Sequence, residues 1–240
     1  MTVRAVSLTP AELASLARPS VDLRSTLPTT IPLQGPRPVC VPFAVSGAHS
    51  SLRSKPPDPC EALAAEAIWN VCVNAGKAGS DGTTLAAAGE ALALVGQPLE
   101  ANWPYNPGLG EGTENPPPQA GMPPWFRAGL QPLPLHHDGI EDPIEAALTA
   151  GQLPLLVVEI TSELEMPDPD GEIEVPPVTA PPGDYHALLV VGAATNSVVQ
   201  RRRLLIRNSW GHLWGAGGYA WLPMHYLVSF AVQASLVASP

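Results

Sequence analysis

The 240 residues, 45% of them hydrophobic and 14% charged, suffice for one large domain or two lobes around a buried core. Twelve basic against 22 acidic side chains leave a net charge of −10, which excludes nucleic acid as an expected partner because a phosphate backbone needs a basic face. No apolar run approaches the roughly 20 residues that span a bilayer, so no membrane partner is expected.

The chain opens with a predicted short helix. Thr9 is placed as its N-cap, Pro10 as its first residue and Glu12 as the returning carboxylate of a capping box, with Leu8 and Leu13 as the hydrophobic staple. This start lacks the apolar core of a signal peptide, and three cysteines are too few for a disulfide framework, so a cytoplasmic location is expected. A second helix is predicted to begin at Cys40, since Pro42 is tolerated in a first turn. Residues 61–75 and 84–95 follow as helices, with Cys60 and Cys72 read as small buried thiols. Thirty prolines concentrate in Pro104–Pro134 and Pro167–Pro182, which should be extended loops. A short helix at 144–151 then precedes strands at 153–160, 186–195, 197–207 and 218–223, with a turn at Asn196–Ser197. The third strand reads as half-buried, its Arg201–Arg203 run solvated. The acidic stretch Glu163–Asp184, without Lys or Arg, reads as a solvated insertion rather than a lid that attracts basic peptides. His136, His137 and Asp138 lack zinc-site spacing, so no metal or other cofactor is expected; His49, His212 and His225 are read as surface or structural. The fold class is therefore α+β, a helical half followed by a β half, with ligands expected in the cleft between them.

Three separated segments carry the chemistry. Cys40 lies in QGPRPVCVPFA, His186 in DYHALLVVGA and Asn208 in NSWGHLWGAGGYAWLP. A thiol is a useful nucleophile only as thiolate, and the head of a helix favours an anion. A histidine beside it would take the proton, lower the thiol pKa and later protonate a leaving amine. The Asn208 amide oxygen can fix the ring, and Trp210 and Trp214 can exclude water from that bond. Gln34, six residues before Cys40, can project its amide beside the Cys40 N–H as an oxyanion donor, an effect of roughly 3 kcal/mol on a barrier.

The Gln-x5-Cys spacing, the His entering an apolar strand and the Asn-Ser-Trp-Gly-x-x-Trp-Gly-x-x-Gly-Tyr run resemble the papain-like cysteine peptidases, nearest their compact bacterial branch. VDLRSTLP (21–28) and LEANWPYN (99–106) extend the likeness over most of the chain. The resemblance implies a papain-like two-lobe fold: an N-terminal extension over 1–20 and a peptidase domain over 21–240. Within the latter, 21–110 would form the helical lobe, 111–135 a proline-rich connection and 136–240 an antiparallel β-barrel-like lobe. It implies an endopeptidase with Cys40 as nucleophile, His186 as acid/base, Asn208 as orienting residue and Gln34 as oxyanion donor. Gly82, Ala187 and Tyr185 would contact a peptide or protein substrate, and a regulatory protein partner is possible because the family's long inhibitory pro-segment is not expected. The sequence departs from the family pattern at Val41 and Pro42, where tryptophan usually follows the cysteine, and at Tyr185, where a small or amide residue is common. A peptide-binding module with little turnover and a thiol amidase or deamidase on the same fold are the alternative readings.

Overall fold

The computed structural model describes residues 18–55, 57–135, 141–177, 184–196 and 201–239. The expected helix around Pro10, the His136–Asp138 group and Ser197 of the expected turn lie outside them. Three helices form the first part. Helix α1, Cys40–Arg53, buries Val41, Ala44, Val45 and Ala48, a three- and four-residue spacing that gives it one apolar face. Helix α2 spans Ala65–Asn74 and α3 spans Leu85–Leu94. Thr84 caps α3, its Oγ1 accepting the Ala87 N–H at 3.1 Å. Between α2 and α3 a small hairpin pairs β2 (Ala78–Gly79) with β3 (Gly82–Thr83). Helix α2 starts four residues later than its composition suggests, because Ala64 is extended and bonds to Pro98. Cys60 consequently lies outside any helix and is half-buried, whereas Cys72 is buried; all three thiols are free.

The remaining strands form a seven-stranded antiparallel sheet: β1 (Val21–Asp22), β4 (Gly129–Leu133), β5 (Leu155–Glu159), β6 (Tyr185–Asn196), β7 (Arg201–Arg207), β8 (Tyr219–Pro223) and β9 (Ala231–Ala238). Its order is β4-β9-β5-β6-β7-β8, with β1 added against β6. Strand β4 runs through the proline-rich stretch, and its Pro132 is tolerated because β4 is an edge strand. Helices α4 (Glu141–Thr149), α5 (Ser162–Glu165) and α6 (Met224–Phe230) complete the chain.

The sheet is buried on both faces. Leu155, Ala187, Leu189, Val191 and Leu205 point into one core with α1–α3. Leu156, Val158, Leu188, Val190, Leu204 and Ile206 point into a second core with α4, α5 and α6. That is why the expected half-burial of β7 is not found: helices cover both sides, and Leu204, Leu205 and Ile206 are all buried. Of the basic run only Arg201 is exposed. Arg202 is buried and bonds Glu145 of α4 through Nε and Nη2, the latter at 2.6 Å; Nη2 also donates to the Pro19 carbonyl and Nη1 to the Arg18 carbonyl. Arg203 pairs with Glu172. The described part of the acidic stretch is likewise docked: Leu164 and Ile173 are buried, and Gly171 and Ile173 bond the backbone of Trp221 at the edge of β8.

Strand β6 shifts register between Val190 and Gly192, where β1 joins it. A Cβ on Gly192 would lie 2.5 Å from the Val21 carbonyl oxygen, so only glycine permits that approach. Gly192→Ala is expected to destabilise the fold by about 2 kcal/mol through overpacking at β1, read as a lower urea midpoint with unchanged slope. An unchanged midpoint would mean that the β1 pairing contributes nothing.

Candidate active site

The first and last motifs are joined by backbone. Gln34 N–H donates to the Ser209 carbonyl at 2.8 Å and Gly211 N–H to the Pro32 carbonyl at 2.9 Å, so residues 32–34 run antiparallel to 209–211. Ser209 locks the side chains as well: its hydroxyl donates to Gln34 Oε1 at 2.6 Å and its N–H to Asn208 Oδ1 at 2.7 Å. Gln34 Nε2 donates to the Arg37 carbonyl at 2.9 Å, which leaves one of its two N–H bonds for another acceptor. The loop after Asn208 turns back through Gly218, with φ +90, where a Cβ would meet Ile31 Cγ2 at 2.4 Å; its carbonyl accepts the Asn208 N–H at 3.1 Å.

His186, buried at the start of β6, lies with Nε2 2.6 Å from Asn208 Oδ1. The Ser209 N–H on that same oxygen fixes which way the Asn208 amide points. Because Oδ1 can only accept, Nε2 carries the proton and Nδ1 keeps its lone pair in the neutral ring. Trp210 covers the imidazole at 4.4 Å between ring centres and meets Trp214 edge-on at 5.9 Å. Trp214 is itself anchored by its Nε1 on the Leu164 carbonyl at 3.0 Å.

Cys40 is the first residue of α1, whose N-cap Val39 supplies no side-chain hydrogen bond, so the amides at the helix head are not occupied by a cap. Burial pushes the Cys40 thiol pKa up, against backbone N–H groups of Ala187, Val41 and Cys40 itself that draw it down. Burial also drives His186 down to about 4, opposed by the Asn208 hydrogen bond. This differs from the depressed thiol pKa that a helix head and a histidine suggest from sequence. With both groups removed from water, each separate charge is disfavoured.

The remaining sequence-named positions are distributed as follows. Ala187 buries its side chain in the first core and presents its N–H to the sulfur. Tyr185 is exposed at the start of β6. Gly82, at φ +82, sits where a Cβ would lie 3.0 Å from the Pro38 carbonyl on the approach to Cys40. Val41 is buried in the first core. Pro42 sits in the first turn of α1 and its carbonyl accepts the Ser46 hydroxyl at 2.7 Å. His49 is buried, bonding Gln97 Oε1 at 2.9 Å, while His212 and His225 are exposed. Sequence reasoning passed over Ser209 and Arg37, although both stand inside the named motifs. Among the described residues no cluster of His, Cys, Asp or Glu could hold a metal ion, and no helix is long and apolar enough to cross a membrane.

No protein-family model matches the chain, and no curated protein matches it in sequence. Solved structures do. Xylellain, a cysteine protease from Xylella fastidiosa, aligns with a TM-score of 0.73 at 24% identity over 98% of this chain and 91% of its own. Digestive procathepsin L 3 of Tenebrio molitor aligns at 0.73 and 22% identity, over 93% and 72%. Bromelain from Ananas comosus, in complex with the E64 inhibitor, aligns at 0.72 and 19% identity, over 93% and 100%. The chain therefore carries the papain-like α+β fold, with its Gln34–Cys40, His186 and Asn208 segments brought together where helices and sheet meet.

Proposed function

We propose that the protein is a thiol-dependent endopeptidase that hydrolyses peptide bonds through an acyl-enzyme on Cys40. The observation that carries this reading is the buried 2.6 Å bond from His186 Nε2 to Asn208 Oδ1 under Trp210, with the N–H of the next residue, Ala187, on the Cys40 sulfur at the head of α1. His186 Nδ1 takes the Cys40 proton as the sulfur attacks the substrate carbonyl carbon. The two charges then form together, each offsetting the desolvation that disfavours the other alone. The developing oxyanion accepts the Cys40 N–H and the spare N–H of Gln34, whose amide is held by Ser209 and Arg37. The imidazolium next protonates the leaving amine. Water, deprotonated by His186, hydrolyses the thioester and returns the proton to Cys40. Tyr185 and Gly82 would flank the bound peptide. Three free thiols fit a reducing, cytoplasmic setting, and a protein partner would restrain the activity.

The test is labelling with an E64-type epoxide, with Cys40→Ala as control, followed by a peptide-library digest read by mass spectrometry. Adduct on Cys40 together with backbone cleavage is expected. No adduct between about pH 5 and 9 would replace the peptidase by a peptide-holding module, and release of side-chain amide without backbone cleavage would make it an amidase.

A further inference from the structure

A cavity of about 210 Å³ lies behind the proposed catalytic centre, between Phe43, Ala44 and Gly47 of α1 and Arg207 and Asn208 on the sheet side. Its wall is mostly apolar, and exposed Thr30 stands at its edge. A cavity of roughly 150 Å³ lined by apolar side chains holds a benzene ring. This one has room for a ring and a polar head.

Its polar wall includes the Arg207 side chain. Arg207 is 6% exposed, and among the described residues no carboxylate pairs with it. Its Nη2 donates to the carbonyls of Pro28 at 3.1 Å and Thr30 at 2.5 Å, whereas Nε is buried with no acceptor. Asn208 spends Oδ1 on His186 and Ser209, and its Nδ2, enclosed without an acceptor among the described residues, is not reached from the cavity. Contrast the chain's other buried guanidiniums: Arg37 pairs with Glu66 and Arg202 with Glu145. Glu100, the acidic residue on the cavity wall, accepts the Tyr105 N–H at 2.9 Å and makes no ion pair with Arg207 among the described residues, and burial raises its pKa. Cys60, whose charge would favour the Arg207 cation, has its thiol pKa raised by burial and stays neutral. A buried cation without a counter-ion is costly, and an anion from solution removes that cost.

We propose that this cavity is a binding site for a small organic carboxylate with a compact apolar tail, its oxygens on the Arg207 guanidinium and its tail against Phe43 and Ala44. This site does not depend on the peptidase reading. Benzoate matches the chemistry and the volume, and benzamide is its neutral isostere. Isothermal titration of the intact chain with sodium benzoate should show one site. Arg207→Met, and benzamide in place of benzoate, should each weaken binding by about tenfold or more, as expected for loss of a charge-assisted hydrogen bond. Ala62→Phe, which fills the cavity from another wall, should abolish binding with Arg207 in place. Equal affinity for benzoate and benzamide, no heat at millimolar benzoate, or the same heat from sodium chloride would overturn the proposal. Should Arg207→Met not fold, Ala62→Phe and the benzamide comparison decide: retained binding in Ala62→Phe overturns it.

Discussion

His186→Gln is expected to lower kcat/KM on a cleaved peptide by roughly 10⁴-fold or more, as removal of one member of a catalytic set does elsewhere. The wild-type pH profile should carry an equally distinctive mark. In the proposed mechanism turnover needs neutral His186, whose pKa burial lowers to about 4, so the acidic limb should fall near 4 and not near the ordinary 6.5. Activity is then retained from neutral pH down to about 5 and lost as pH falls through the folded value. Stability follows the same group. Unfolded, the imidazole binds its proton at about 6.5; folded, only at about 4. Keeping it neutral therefore favours the native state fully above 6.5, and this contribution, roughly 3 kcal/mol, is lost progressively as pH falls from 6.5 to 4. Urea titrations of wild type and His186→Gln should show a shallower decline in the variant across that window. An acidic limb near 6.5, with parallel stability curves, would mean that the ring is solvated in the working enzyme.

Parts of this arrangement were legible in the sequence for identifiable reasons. Helix α1 was readable because a proline at its third position is harmless there, and α3 from its apolar spacing. Strands β5 and β6 stood out as apolar runs, since both of their faces are buried. Strand β4 was hidden by its own Pro132, which only an edge position tolerates, and β9 by the alanine, serine and glutamine that its sequence mixes with valine. The Gln34, Cys40, His186 and Asn208 positions were readable as spaced motifs, but not what holds them. Ser209 joins Gln34 to Asn208 across 175 residues, and Arg202 finds Glu145 across 57. Such long-range pairings leave no periodic trace. The shifts that burial gives the thiol and the imidazole were illegible for the same reason: desolvation is set by what packs around a group, not by its neighbours in the chain.

Arg37→Met should cost the fold about 4 kcal/mol, the largest stability loss expected of any single change outside the proposed catalytic set. Arg37 and Glu66 are both fully buried, joined bidentately at 2.6 and 3.1 Å. The guanidinium also donates to the carbonyls of Asn106, Gly110 and Gly112, at 2.7, 2.9 and 2.9 Å, and lies over the Tyr105 ring at 4.8 Å. Thr113 Oγ1 supports Glu66, and Trp69 Nε1 shares the Gly112 carbonyl, so one cation organises the whole loop 106–113 against α2. Removing it strands a carboxylate in the interior and takes the donor from the Asn106 and Gly110 carbonyls, while Gly112 keeps Trp69 Nε1. For a chain of this length that corresponds to a fall in Tm of about 10 °C by calorimetry. Replacing both partners, Arg37→Met with Glu66→Leu, should recover part of the loss, because no charge is then left uncompensated. The consequence extends to the site. Arg37 supplies the carbonyl that holds Gln34 Nε2, and Tyr105, against which the guanidinium stacks, donates its hydroxyl to the Gln34 carbonyl at 2.6 Å. If Gln34 is the oxyanion donor, the double replacement should lower kcat more than it raises KM, since that contact is realised only in the transition state. A Tm within about 2 °C of wild type for Arg37→Met would show that loop 106–113 is held by other contacts.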